Sequence, residues 1–153
     1  MTTVTEGAPA PDFDLETPDG RVKLADFAGQ TLVLYFYPKD DTAGCTREAQ
    51  DFTSLAPEFA KGGVTVIGVS KDTVASHRKF ATKYDLAVKL ASDPTGETVE
   101  RYGSWVEKSL YGRKYMGIDR STFLIKDGRV AKVWRKVKVP GHAEQVLEAA
   151  RSL

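Results

Sequence analysis

The sequence predicts an α/β fold: a mixed central sheet flanked by helices and preceded by an N-terminal β-hairpin. Three observations predict it. Two continuous apolar runs, Thr31-Leu-Val-Leu-Tyr-Phe-Tyr37 and Val64-Thr-Val-Ile-Gly-Val-Ser70, have the length and β-branched or aromatic content of strands buried on both faces. Each is followed by a segment with apolar residues at helical spacing. The last third of the chain instead reads as two adjoining strands around Lys126-Asp-Gly128, then one helix. Strands alternating with helices therefore give way to an antiparallel pair, the pattern of a mixed sheet with helices on both faces.

The elements follow in order. Residues 1–11 carry Gly7, Pro9 and Pro11 and are expected to be extended and loosely held. Phe13-Asp-Leu15 and Val22-Lys-Leu24 alternate about Thr17-Pro-Asp-Gly20, a hairpin whose turn is Pro-Asp-Gly. A short segment and Gln30 lead into the first central strand. After Pro38 and a polar loop, Cys45, Ala49, Phe52, Leu55, Ala56 and Phe59 form one helical stripe, opposite Arg47, Gln50, Asp51 and Ser54. Pro57 offers no N–H to Thr53, so it kinks or restarts that helix, and Gly62-Gly63 stops it. Following the second central strand, Asp72 or Thr73 caps a helix to about Tyr84, with Val74, His77, Phe80 and Ala81 at helical spacing. Lys89-Leu-Ala91 is a short third strand, and Asp93-Pro-Thr-Gly96 turns into a helical piece ending near Tyr102. Residues 103–119 are rich in glycine and tyrosine without a clear period and read as a long loop. Ser121-Thr-Phe-Leu-Ile125 and residues 129–139 read as the strands of the second hairpin. Pro140-Gly141 then leads into a C-terminal amphipathic helix with Ala143, Val146, Leu147 and Ala150 on its apolar side.

A chain of 153 residues reads as one domain, 1–153, with length enough for a real core. Its 22 Lys and Arg against 21 Asp and Glu leave a net charge of +1, which gives no general attraction to nucleic acid or to an anionic membrane. Six cations fall between Lys126 and Lys138 against one acid, Asp127. A strand with one solvated face accounts for them, and weak attraction to an acidic partner is the sharper alternative. The N-terminus lacks the basic start and apolar stretch of a signal peptide or anchor, and no apolar run approaches the ~18 residues that span a bilayer. One cysteine forms no internal disulfide, so the expected compartment is a reducing cytoplasm.

That cysteine, Cys45, carries the chemistry. It follows an apolar strand, a proline and a short polar loop, and it stands where an amphipathic helix begins. A thiol there faces unpaired backbone N–H groups and the positive end of the helix dipole, which favour the thiolate. Taken alone, a single cysteine is most often a small buried hydrophobe. Taken alone, Pro38 ends a strand, Thr42 caps a helix, and Arg120 is an ion-pairing residue at a strand end.

The spacing Pro38-x-x-x-Thr42-x-x-Cys45 after an apolar strand resembles the peroxiredoxin active-site motif. The wider run Tyr35-Phe-Tyr-Pro-Lys-Asp-Asp-Thr-Ala-Gly-Cys-Thr-Arg-Glu48 is similar to the peroxiredoxin Q subfamily, also called bacterioferritin comigratory protein. Gly7-Ala-Pro-Ala-Pro-Asp-Phe13, Gly68-Val-Ser-Lys-Asp72 with Ser76-His77 and Lys79-Phe80, and Asp119-Arg120-Ser-Thr-Phe123 extend the resemblance over nearly the whole chain. It implies a thioredoxin-like fold and a thiol-dependent peroxidase acting on hydrogen peroxide and organic hydroperoxides, without metal, haem, flavin or selenium. It also implies site roles. Cys45 attacks the peroxide and becomes a sulfenic acid. The Thr42 hydroxyl orients peroxide and thiolate, the Gly44 and Cys45 N–H groups bind the peroxide oxygen, Pro38 packs over the thiol, and Arg120 supplies positive charge. Glu48 either hydrogen-bonds into this network or simply suits the first helical turn.

Two departures from the subfamily matter. Ala43 stands where many members have proline. Gln50 and, approximately, Ala81 stand where members often carry a resolving cysteine. The resemblance then implies a one-cysteine enzyme whose sulfenic acid is reduced by an external thiol, whether thioredoxin, glutaredoxin or glutathione, and which is exposed to over-oxidation. It favours a monomer and leaves a dimer open. It also implies that the first turn around Cys45 unwinds to admit that thiol.

Two other function classes are weighed against this: a non-enzymatic thiol redox sensor and a catalytically silent binding module. Repeated turnover separates the enzyme from both. His77 and His142 with one cysteine make no convincing metal set, and His77 reads as a packed or capping histidine.

Overall fold

The computed structural model describes residues 4–153. Its main sheet has seven strands in the order β2-β1-β5-β4-β3-β8-β9. These are β1 (Asp14–Thr17), β2 (Gly20–Lys23), β3 (Thr31–Phe36), β4 (Val64–Ser70), β5 (Lys89–Ser92), β8 (Ser121–Lys126) and β9 (Arg129–Trp134). The central strands β3, β4 and β5 run parallel, and the two hairpins add antiparallel strands at either edge. The mixed sheet of a thioredoxin-like fold is therefore present.

Side-chain alternation along β3 divides the core. Leu32, Leu34 and Phe36 enter one apolar cluster with Ile67, Val69, Phe123 and Ile125. On that face lie helix α4 (Glu97–Arg101), which contributes Val99, and Tyr102 just beyond it. Val33, Tyr35 and Tyr37 enter the other cluster, with Cys45, Ala49, Phe52, Phe59, Phe80 and Val146. Helices α1 (Ala43–Ser54), α2 (Ala56–Lys61), α3 (Val74–Tyr84) and α5 (His142–Arg151) supply those residues. Phe52 and Phe59 are fully buried, each contributing about 2 kcal/mol of apolar burial. Cys45, on α1, thus sits in the packed layer between the sheet and these helices.

Local chemistry sets the boundaries. Pro57 restarts the helix: α1 ends at Ser54, and the proline occupies the first turn of α2, where a missing N–H costs nothing. Thr73, and not Asp72, caps α3 by accepting from the Ser76 N–H at 3.1 Å. Gly68 faces Tyr35 directly across the β3–β4 pair, and a Cβ there would lie 2.6 Å from the tyrosine ring. Only glycine lets that ring lie over β4 and stack on Phe52, at 4.8 Å between centroids.

Three expectations need correction. Residues 4–11 are not loosely held. Gly7 N–H donates to Val130 O, Ala10 N–H to Gly128 O, and Val130 N–H to Ala8 O, at 2.7–2.9 Å; residues 1–3 lie outside the described residues. Most of the expected loop at 103–119 is an antiparallel pair, β6 (Trp105–Leu110) and β7 (Arg113–Ile118), in a separate two-stranded sheet. Its strands are largely solvent-exposed, so no apolar alternation marked them, and its turn is Tyr111-Gly112, both at positive φ (51° and 78°). Finally, β9 stops at Trp134 and does not run to 139. Arg135 turns inward to donate to the carbonyls of Val4, Tyr102 and Gly103, and Lys136 adopts a left-handed φ of 48°.

Candidate active site

β3 delivers the site loop. Tyr37 continues its parallel register by donating to Val69 O at 3.0 Å, and Pro38 ends it. Pro38 is exposed. Thr42 occupies the N-cap position of α1 with extended backbone, but its side chain caps no helix N–H. The hydroxyl proton goes instead to Lys39 O at 2.9 Å, which leaves the oxygen's lone pairs open. The first-turn N–H groups of Ala43, Gly44 and Cys45 have no carbonyl four residues back to bond. They remain directed at the helix end, where the dipole favours negative charge.

Cys45 is 2% exposed. Arg120 reaches it from the segment between β7 and β8, 75 positions away in sequence: Nη2 stands 3.3 Å from Cys45 Sγ. Nη1 of the same guanidinium donates to Glu48 Oε1 at 2.6 Å. The Arg120 carbonyl accepts from Val137 N–H at 2.9 Å, which ties the residue to the segment after β9. Gly44 has a steric reason here: a Cβ at that position would lie 3.2 Å from Nη2.

Glu48 is 1% exposed, and its second oxygen, Oε2, has no partner among the described residues. Burial pushes its carboxyl up to about 7 against the opposing pull of Arg120. The expected place of Glu48 in the first helical turn is corrected: that turn of α1 holds no acid, and Glu48 lies one turn further on, buried against Arg120. For Arg120, burial works against the charge, but Glu48 and the Cys45 sulfur outweigh it and hold the guanidinium above its usual range. Tyr35 Oη, also unpartnered, is raised by burial and by the negative charge of Glu48. His142, at the start of α5, pairs with Thr122 Oγ1 at 2.8 Å and packs edge-on against Phe52 and Trp134. Burial, with Arg120 adding to it, lowers its pKa to about 4, so the ring is neutral at physiological pH.

The structure thus brings Cys45, Gly44, Glu48 and Arg120 together, with Thr42 and Pro38 on the loop leading in. Gln50 is exposed on α1 and Ala81 is half-buried on α3. Residues that sequence reasoning passed over also converge here. Asp40, in the loop itself, is buried and bonds Tyr37, Ser76 and His77. Two adjacent acids in a short polar loop, Asp40-Asp41, were the only hint of this. Lys108 on β6 lies over Gly117, whose Cβ would approach its Cδ to 3.3 Å. Burial lowers the Lys108 pKa, and among the charges acting on it are Asp119, Arg120 and Cys45. Nothing in the sequence marked it.

Comparison with known proteins shows what the chain is similar to. The AhpC/TSA family model matches residues 7–133. A putative peroxiredoxin bcp of Coxiella burnetii is 46% identical over 147 residues, covering 95% of this chain and 97% of the relative. Peroxiredoxin Bcp of Bacillus subtilis is 44% identical over 153 residues, covering 99% and 98%. The bacterioferritin comigratory protein of Xanthomonas campestris, whose structures were solved in connection with its alkyl peroxide reduction activity, superposes with a TM-score of 0.87 at 44% identity. That match covers 92% of this chain and 90% of the other.

Proposed function

This chain belongs to the AhpC/TSA family as a peroxiredoxin of the Bcp, or peroxiredoxin Q, group and is a thiol-dependent peroxidase, and we propose that Cys45 is its peroxide-reducing thiol. The observation that carries the assignment is the Arg120 guanidinium, set 3.3 Å from a sulfur at a helix N-terminus. The thiolate attacks one peroxide oxygen, the O–O bond breaks, and the other oxygen leaves with a proton as water or alcohol. Cys45 becomes a sulfenic acid. Negative charge moves onto the leaving oxygen during this step, where fixed donors lower the barrier. Arg120 and the free Gly44 and Cys45 N–H groups are such donors. The Thr42 hydroxyl, its proton committed to Lys39 O, accepts from the peroxide O–H and so orients it. Pro38 is exposed, so its expected packing over the thiol has no support in burial, and its part in this reading is to end the strand ahead of the Thr42–Cys45 loop. Glu48 fixes the plane of the guanidinium.

Hydrogen peroxide is the first substrate of this reading, and the activity of the X. campestris relative supports organic hydroperoxides as a second class. With one cysteine in the chain, the cycle closes outside it. One external thiol displaces water from the sulfenic acid to give a mixed disulfide, and a second thiol releases Cys45 with an external disulfide. Thioredoxin, glutaredoxin and glutathione all have the required chemistry. Cys45 is 2% exposed, which keeps a protein thiol from its sulfur, so the first turn of α1 opens between the two half-reactions. Among the described residues, no helix is long and apolar enough to cross a membrane. We read residues 1–153 as one domain that works as a monomer in the cytoplasm, where such thiols are maintained. The test is peroxide consumption with excess dithiothreitol by wild type and Cys45→Ser. Many equivalents per chain for the first and none above background for the second are expected. Equal rates would overturn the assignment.

A further inference from the structure

The loop between β3 and α1 is gripped from α3 by a buried polar cluster that takes no part in the chemistry above. Asp40 is 8% exposed, yet its carboxylate receives three donors. Tyr37 Oη donates to Oδ1 at 2.6 Å, while Ser76 Oγ and His77 Nδ1 reach Oδ2 at 2.7 and 2.8 Å. His77 Nε2 meets Ala91 O at 3.0 Å. Both ring nitrogens face acceptors. These bonds outweigh the burial of Asp40 and keep its pKa below the usual carboxylate range.

The cluster reaches the catalytic loop through one peptide plane. The Asp40 N–H donates to Asp72 Oδ2 at 2.8 Å, and Asp72 is itself held by Ser70 Oγ at 2.6 Å. The carbonyl of the same plane, Lys39 O, accepts the Thr42 hydroxyl at 2.9 Å. A peptide unit is rigid, so fixing its N–H and the following carboxylate fixes the direction of its C=O. Next along the chain, Asp41 adopts a left-handed φ of 58° and is bound by Lys83 and Tyr84 from the end of α3. The loop is thus pinned on its inner and outer sides by one helix.

We propose that Asp40 is a positioning residue for the peroxide reaction: with Tyr37, Ser76 and His77 it fixes the Lys39–Asp40 peptide, whose carbonyl holds the Thr42 hydroxyl in its peroxide-accepting orientation. The inference rests on the peroxidase reading. It separates two properties of Cys45. Thiolate reactivity as such depends on Arg120 and the helix end; peroxide orientation depends also on Thr42 and hence on Asp40.

Asp40→Asn replaces an acceptor-only carboxylate with a group that offers one acceptor and one donor set to three converging donors. Ser76→Ala is the milder variant and removes one of the three. The experiment compares, in wild type and both variants, the single-turnover rate of Cys45 with hydrogen peroxide and its alkylation rate with iodoacetamide, which needs the thiolate but not Thr42. Asp40→Asn is expected to slow the peroxide reaction about 100-fold, as misplacement of a reacting geometry by ~1 Å does, and Ser76→Ala a few-fold. Alkylation changes less than about 3-fold in both. In a Thr42→Ala background, either substitution has little further effect on the peroxide rate. If Asp40→Asn does not fold, Ser76→Ala carries the same comparison. Peroxide and alkylation rates that fall together, a peroxide rate that does not fall, or effects that add fully to Thr42→Ala would overturn the proposal. A wild type that does not react with peroxide would overturn the peroxidase reading instead.

Discussion

Replacing Glu48 with glutamine should stabilise the protein at alkaline pH while impairing it. The carboxyl is 1% exposed, one of its oxygens has no partner among the described residues, and burial raises its pKa from the usual 4.5 to about 7. A carboxyl whose folded pKa is raised stabilises the fold fully below pH ~4.5 and loses that contribution as pH rises through ~7. The interval is about two and a half pH units at about 1.4 kcal/mol each, so the ionised side chain costs on the order of 3 kcal/mol at pH 8. Glu48→Gln imitates the neutral carboxyl and escapes that cost. Urea unfolding followed by the fluorescence of Trp105 and Trp134 should therefore give matching stabilities near pH 4. At pH 8 the variant should be more stable by ~1–3 kcal/mol, and its peroxide rate should be lower because Arg120 has lost its anionic partner. A variant less stable than wild type at pH 8 would show that the Arg120 ion pair outweighs burial, and the reasoning would fail.

Gly44→Ala places a Cβ 3.2 Å from Arg120 Nη2; the guanidinium tip can yield, so the fold is kept while the peroxide rate falls about 10-fold in single-turnover measurements. Gly68→Ala forces a Cβ to 2.6 Å from the buried Tyr35 ring and should lower the unfolding free energy by ~1–3 kcal/mol or more in urea titrations. His142, with its pKa lowered to about 4, contributes stability that is present above pH ~6.5 and lost as pH falls toward ~4. That trend runs opposite to Glu48, so the stability of His142→Gln should fall less steeply between pH 6.5 and 4.5 than that of wild type in the same urea series.

Much of the fold was legible because its strands and helices bury continuous or periodic apolar surfaces. Residues Val64–Ser70 form a strand over the span that their composition indicates, and Pro57 restarts the helix where its missing N–H requires. The β6–β7 hairpin was hidden for the opposite reason: Glu107, Ser109, Leu110, Arg113, Lys114, Tyr115 and Met116 are exposed, and its turn carries tyrosine where Asn or Asp is usual. The end of β9 was hidden because Arg135 leaves the strand for backbone carbonyls far away in sequence. In the site, the local helix signal located Cys45, but no local pattern links it to Arg120, 75 positions on. Only the family resemblance singled out that arginine. The pairing of Asp40 with His77 left no mark in the sequence because it exists only once β3, β5 and α3 are assembled.

The most direct test of the account is steady-state hydrogen peroxide consumption with excess dithiothreitol, followed by intact-mass analysis of Cys45. Many peroxide equivalents per chain, with Cys45 recovered as thiol and with activity abolished in Cys45→Ser, are expected. Consumption that stops after one equivalent, or that persists without the cysteine, would contradict it.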